Sequence, residues 1–255
     1  MKKILLSGSN GRMGQVLQQL IAQQPDLEVV AGIDRQANGT GAFPVYQSPA
    51  EVKETIDLVI DFSHYSVVPE LLNVCVTRNW PVVVATTGLS EETKTMLAVA
   101  AQVIPVFYSA NMSLGINVLI KALQAITPSL AADFNIEIIE KHHNQKKDAP
   151  SGTALLLADS INETLEEKKN YIFGRSGNEN ENALNEMGIH AVRGGTIPGE
   201  HTVLYAGSDE IITLTHTALS RDIFANGALK AAAFLLQQPA GLYSMADLLE
   251  TKETR

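Results

Sequence analysis

The chain has 255 residues, 45% of them hydrophobic and 18% charged, the composition of a globular protein with one large or two modest cores. Its formal net charge of −9 excludes general nucleic-acid and anionic-membrane binding, so an anionic ligand has to be met by a local basic cluster. The single cysteine, Cys75, rules out an internal disulfide and suits a reducing, cytoplasmic setting.

Residues 2–7 read as a short apolar strand running into Gly8-Ser9-Asn10-Gly11-Arg12-Met13-Gly14. The spacing of Val16, Leu17, Leu20 and Ile21 predicts a helix over 15–24, and residues 27–33 a second strand ending at Asp34. Further short apolar strands are expected at 57–62, 81–85 and 104–108, with helices at 67–78 and 91–102 between them. Wholly apolar strands alternating with helices indicate a parallel sheet covered on both faces. After residue 113 the pattern changes. A helix over 116–126, a longer strand over 134–142 and a helix from Ser151 to about Lys168 are expected, followed by a polar surface loop over 174–188. Strands at 189–192, 202–206 and 211–217, close together in sequence, suit a mixed or antiparallel sheet, and a helix at 226–237 precedes a short helical tail. The fold class is therefore α/β: a Rossmann-like parallel sheet domain, on which the last helices pack back, plus an α+β domain with a mixed sheet. The expected boundaries are 1–113 together with 222–255, and 114–221. No signal peptide is expected, and no apolar run approaches the ~18 residues of a membrane span.

The Gly8-x-x-Gly11-x-x-Gly14 turn joins a strand to a helix, where backbone N–H groups and the helix dipole can meet a pyrophosphate. Asp34, 20 residues after Gly14, stands where a carboxylate accepts from an adenine ribose, while the guanidinium of Arg35 suits a 2′-phosphate. The acid favours NADH and the arginine NADPH, so either cofactor is expected to work. Arg12 faces phosphate or solvent. Thr86-Thr87-Gly88 and Asn111 follow strand ends that gather around a cofactor, although ordinary turn chemistry places such residues equally well.

The run Glu140-Lys-His-His-Asn-Gln-Lys-Lys-Asp-Ala-Pro-Ser-Gly-Thr153 concentrates a proton donor, cations and a helix start in one segment. An imidazole at His142 titrates near neutrality, Lys146 can neutralise a carboxylate, and the Ser151-Gly152-Thr153 helix start offers N–H groups and hydroxyls to an anion. Bland alternatives stand beside this: surface histidines at a strand end and a solvated Lys146-Lys147 pair. A metal site is not expected, because His142 and His143 point to opposite faces of a strand and no further ligand spacing completes a set. The other histidines, including His201, read mostly as structural.

The same run resembles the signature of the 4-hydroxy-tetrahydrodipicolinate reductase (dihydrodipicolinate reductase) family of the diaminopimelate route to lysine. The likeness extends through Gly8–Gly14, Thr86-Thr-Gly88, Asn111 with Gly115-Ile-Asn117, Gly199-Glu-His-Thr202 and Arg221 through Phe224-Ala-Asn-Gly227. It implies a cofactor domain formed by both chain ends, a middle domain that binds a small dicarboxylate and builds a homotetramer, and hydride transfer from NADH or NADPH. By the resemblance His142 matches the proton donor and Lys146 the catalytic lysine. His143, Ser151, Gly152, Thr153 and Arg221 match substrate-binding positions. Gly8, Ser9, Asn10, Gly11, Arg12, Met13, Asp34, Arg35, Ala85, Thr86, Thr87, Ser109, Ala110, Asn111 and Met112 match cofactor-binding positions. Members often carry Gly at the place of Ala85, Glu at Asp34 and Phe at Met112, and the shorter acid leaves the cofactor preference open. Two rivals fit less well. A semialdehyde dehydrogenase needs a nucleophilic cysteine, and Cys75 lies in a helix-like apolar stretch. A nucleotide-sensing regulator should bring a basic DNA-binding module, which the sequence lacks.

Overall fold

Unbroken runs of Val, Ile and Leu can sit only where both faces of a sheet are covered, and that is where they lie. The computed structural model describes residues 1–37, 42–178 and 184–250. In chain order the elements are β1 (Lys2–Ser7), α1 (Arg12–Ile21), β2 (Leu27–Ile33), β3 (Val45–Tyr46), β4 (Leu58–Asp61), α2 (Val68–Arg78), β5 (Val82–Val84), α3 (Glu91–Ala100) and β6 (Pro105–Tyr108). There follow α4 (Leu114–Leu130), β7 (Asn135–His142), α5 (Gly152–Asn162), β8 (Asn170–Phe173), β9 (Glu186–Arg193), β10 (Glu200–Ala206) and β11 (Ile211–Thr217). The last are α6 (Asp222–Leu235), β12 (Gly241–Tyr243) and α7 (Met245–Glu250). Two compact units result, Met1–Leu114 with Asp222–Arg255, and Gly115–Arg221.

The first unit carries a seven-stranded sheet in the order β12-β6-β5-β4-β1-β2-β3, with parallel pairs throughout. One face packs on α2 and α3 through Leu71, Leu72, Cys75 and Leu97. The other packs on α1 and α6 through Leu17, Ile21, Ala228, Ala231 and Ala232. The alanines let α6 lie close, and Gly227 is required there, because a Cβ would collide with the backbone oxygen of Met112. Burying each of the leucines and the isoleucine contributes roughly 1.5–3 kcal/mol before chain entropy is counted.

The second unit is a five-stranded mixed sheet, β11-β10-β7-β9-β8. β7 alternates strictly between buried and half-buried residues, as a strand with one covered face must. Ile136 and Ile138 pack on Ala154, Leu157, Ala158 and Ile161 of α5. Two sequence expectations are corrected here. The helix from Ser151 stops at Asn162 rather than near Lys168. The Asn162 side chain binds both the N–H and the C=O of Lys169, at 2.9 and 3.0 Å, and such side-chain pairing competes with helix propagation. The loop expected over 174–188 gives up Glu186–Gly188 to β9, where Gly188 leaves room for the Glu137 and Arg175 side chains to cross it; 179–183 lie outside the described residues. As the expected mixed sheet allows, β9 runs parallel to β7 while β10 pairs antiparallel with it. Among the described residues no helix is long and apolar enough to cross a membrane.

Candidate active site

The Gly-rich turn has the form its spacing demands. Gly8 adopts φ +80°, and a Cβ there would lie 2.5 Å from the Phe62 oxygen. A Cβ on Gly14 would strike the backbone oxygens of Gly8 and Ser9. Gly11 caps α1 without any side-chain cap, so the first N–H groups of the helix are left for a ligand. Asp34 follows β2, and its Oδ2 accepts from the Asn10 N–H at 3.0 Å, tying the acid to the turn. A cavity of about 230 Å³ lies beside it, lined by Gly8, Gly11, Asp34, Arg35, Gln47 and His64 among others. Arg12 and Arg35 are exposed, whereas Ser9 is fully buried with its hydroxyl against Gly32.

The remaining expected cofactor positions cluster at the carboxyl ends of β5 and β6. Ala85 and Thr86 are buried, Thr87 is exposed, and the Thr86 hydroxyl donates to Asp61 at 2.6 Å. Ser109 and Asn111 brace one another: the Ser109 hydroxyl donates to the Asn111 carbonyl at 2.8 Å, and Asn111 Oδ1 accepts from the Ser113 N–H at 2.9 Å. Ala110 is exposed, while the Met112 side chain belongs to the core. The glycine cradle and the uncapped helix start fit a dinucleotide.

In the second unit one carboxylate organises the polar cluster. Glu140 and His142 sit two apart on β7 and so share its covered face. Glu140, with no exposed surface, accepts from His142 Nδ1 at 2.7 Å, from the two terminal guanidinium nitrogens of Arg193 at 2.6 and 2.7 Å, and from the Ser151 N–H at 2.9 Å. Burial by itself pushes the Glu140 carboxyl up; the bonds from Arg193, His142 and Ser151 outweigh it and hold the group below its usual range. His142 is 8% exposed, and burial pulls its imidazole below the ordinary value; Glu140 opposes this, while the charges of Lys146 and Arg193 add to it. Its Nε2 faces Gly199, where a Cβ would stand 3.0 Å away.

His201 completes the cluster. Its ring meets His142 edge-on at 5.1 Å between centroids, and its Nε2 lies 2.9 Å from the Ser151 hydroxyl. Burial, followed by the proximity of His142, takes its pKa down to about 4. Ser151 is thereby turned inward: its hydroxyl also caps α5 through the Ala154 N–H, so of the three residues opening that helix only Gly152 and Thr153 reach the surface. Space beside Gly152 is open, since nothing lies within 4 Å of where a Cβ would be. The loop after β7 is pinned by the His143 N–H to the Ile197 carbonyl and the Gly194 N–H to the His142 carbonyl. Lys146 is held 2.9 Å from Asp148, and His143 is half-buried. Arg221 stands exposed just before α6, with no recorded bond to the cluster. Sequence reasoning missed Glu140, Arg193 and His201. The Glu-x-His alternation signalled the first; the other two reach the cluster only through strand pairing.

The comparisons agree with this architecture. The family model described as dihydrodipicolinate reductase, N-terminus, matches residues 2–112, and its C-terminus counterpart matches 115–249. The chain belongs to the dihydrodipicolinate reductase family. It is 52% identical to the 4-hydroxy-tetrahydrodipicolinate reductase of Caldanaerobacter subterraneus over 98% of this chain and 99% of that protein. Its identity to the Clostridium tetani enzyme of the same name is 46% over 98% of each. Among solved structures, a dipicolinate-bound dihydrodipicolinate reductase from Paenisporosarcina superposes with a TM-score of 0.77 at 25% identity, covering 96% of this chain and 97% of that one. A probable dehydrogenase from Thermotoga maritima, 12% identical with a TM-score of 0.65 over 96% of this chain and 92% of its own, shares the fold. In this chain His142 ends β7 with its ring held by the buried Glu140 carboxylate. Among the described residues no group of three or more His, Cys, Asp or Glu is arranged to hold a metal ion.

Proposed function

We propose that this chain reduces 4-hydroxy-tetrahydrodipicolinate, by way of its dehydrated form, to tetrahydrodipicolinate with NADH or NADPH in the diaminopimelate route to lysine. The observation that carries the reading is the buried carboxylate of Glu140, which ties a proton-bearing imidazole to the start of an anion-binding helix. Family membership supports the activity, and the dipicolinate held by the Paenisporosarcina relative supports a planar dicarboxylate as the ligand class.

In this reading Gly8–Met13, Asp34, Arg35, Ala85–Thr87 and Ser109–Met112 hold the cofactor, which when bound supplies a hydride to ring C4. The Gly115–Arg221 unit binds the substrate and carries the tetramer contacts. Gly152, Thr153, His143, Lys146 and Arg221 meet the carboxylates, while Ser151 supports the helix start from beneath. Hydride arrival leaves an enamine-like anion at C3, and His142 Nε2 delivers the proton there. Nδ1–H is committed to Glu140, so only the imidazolium can donate from Nε2. Burial disfavours that form in the free protein, and two bound carboxylates would raise the pKa into the working range.

The test is NAD(P)H oxidation by the purified protein with substrate generated in place by its synthase from pyruvate and aspartate semialdehyde. Synthase-dependent oxidation, blocked by 2,6-pyridinedicarboxylate, is the expected result. A folded protein that binds NADH yet oxidises none with either cofactor would sink the assignment.

A further inference from the structure

A second buried carboxyl, Asp61, has no part in the chemistry above. It ends β4, in register with Ser7 of β1 and Val84 of β5, beneath the strand ends that lead into the Gly8 turn and the Thr86-Thr87-Gly88 turn. It is wholly buried, and none of the ion pairs among the described residues involves it. Its Oδ2 accepts from the Thr86 hydroxyl at 2.6 Å, and the Ser63 hydroxyl and N–H and the Ser7 hydroxyl stand nearby, but no donor meets Oδ1 in hydrogen-bonding geometry. The Ser7 and Ser9 hydroxyls are also buried without partners. An ionised carboxylate here would be an uncompensated buried charge with an orphaned oxygen, an arrangement costing several kcal/mol.

A proton on Oδ1 removes that difficulty. In-register residues on neighbouring strands stand about 4.8 Å apart, so Ser7 Oγ is within a side-chain rotation of accepting from Oδ1–H. Two orphans then become one donor–acceptor pair. Burial pushes the Asp61 carboxyl upward against the weaker pull of the Ser63, Thr86 and Ser7 hydroxyls and the Ser63 N–H, in keeping with this form. The titratable neighbour is the Cys75 thiol of α2, which is buried, pushed upward by that burial, and neutral.

We propose that Asp61 is a positioning residue of the cofactor site, an uncharged carboxylic acid that fixes the Thr86 hydroxyl and the ends of β1, β4 and β5 on which the two cofactor turns rest. This rests on the reading of those turns as the nicotinamide-dinucleotide site. Its test is direct NADH binding to the full chain by fluorescence, without substrate, for wild type, Asp61→Asn, Asp61→Ala and Thr86→Val, with infrared detection of a protonated carboxyl at pH 7. The expected pattern is a loss of roughly five- to tenfold in affinity for Asp61→Ala and for Thr86→Val, as one lost hydrogen bond predicts. The amide of Asp61→Asn, an isostere of the neutral acid, should restore most of it. The protonated-carboxyl band should vanish in Asp61→Asn. Folded Asp61→Ala that binds NADH like wild type overturns the positioning role; should that variant not fold, unchanged affinity in Thr86→Val does the same. Asp61→Asn as weak as Asp61→Ala, or no protonated band in wild type, overturns the uncharged state. Wild-type protein that fails to bind NADH strikes instead at the cofactor reading itself.

Discussion

Replacing Glu140 with Gln keeps its shape and removes its charge, which isolates what the carboxylate does. Oε1 receives Arg193 and the Ser151 N–H, and Oε2 receives Arg193 and His142 Nδ1. Whichever oxygen becomes an amide nitrogen therefore faces two donors with a third of its own. The Arg193 side chain, only 19% exposed, loses its counter-charge at the same time. Removing one member of such a buried pair costs on the order of 3 kcal/mol. For a chain of this length that is a fall of roughly 6–12 °C in Tm. The imidazole loses the acceptor that sets its tautomer, and turnover should drop by about 10²–10⁴-fold. The assay pairs thermal unfolding with synthase-coupled NAD(P)H oxidation, and NADH affinity serves as the control, since the Gly-rich turn is untouched. Folded Glu140→Gln turning over within about threefold of wild type would refute the argument that this carboxylate orients the proton donor.

Further outcomes follow from the same cluster. His142→Asn should lower kcat by about 10²-fold or more while leaving NADH affinity within about twofold, and equal losses in both would point to a structural role for the imidazole. Gly199→Ala puts a methyl 3.0 Å from His142 Nε2; a displacement of the ring should cost roughly 10- to 100-fold in kcat, and unchanged kcat would mean that the ring has slack. His201 is held at about 4, below the ordinary ~6.5, so on acidification the unfolded chain takes up its proton first. The stability this confers is complete above about pH 6.5 and is lost as pH falls toward 4, amounting to about 3 kcal/mol. Glu140, held low by its partners, acts in the same direction, its share present above the ordinary carboxylate value and lost as pH falls through the depressed one. Urea midpoints at pH 7.5 and 5 should therefore converge in His201→Asn; the same separation as in wild type would contradict the burial argument.

Local chemistry was legible in the sequence wherever it depends on neighbours along the chain. The glycine spacing at 8, 11 and 14 announced a turn in which a Cβ has no room, because the clash is with oxygens of the turn itself and with the Phe62 oxygen. The apolar strands announced a parallel sheet because period and burial follow from composition. The Ser151 helix start, and the placing of Glu140 and His142 on one face, follow from the repeat of a helix and of a strand. The sequence did not stop α5 at Asn162, because that end depends on a side chain reaching Lys169.

Tertiary structure decided who joins the cluster. His142 is the register partner of Arg193 on β9, and Glu140 that of His201 on β10, so β7, flanked by both, collects its cation and its second imidazole from opposite sides. Arg193 is 53 residues from Glu140 and His201 is 61, separations at which no periodicity carries information. The strand order of the first sheet likewise sets Asp61 between Ser7 and the strand that leads to Thr86. The sequence determined which groups are present and which way each faces on its own element, because those depend on backbone geometry over a few residues. Which groups meet, and hence their protonation states, was decided by strand pairing, since burial and hydrogen-bond partners exist only once distant segments lie side by side.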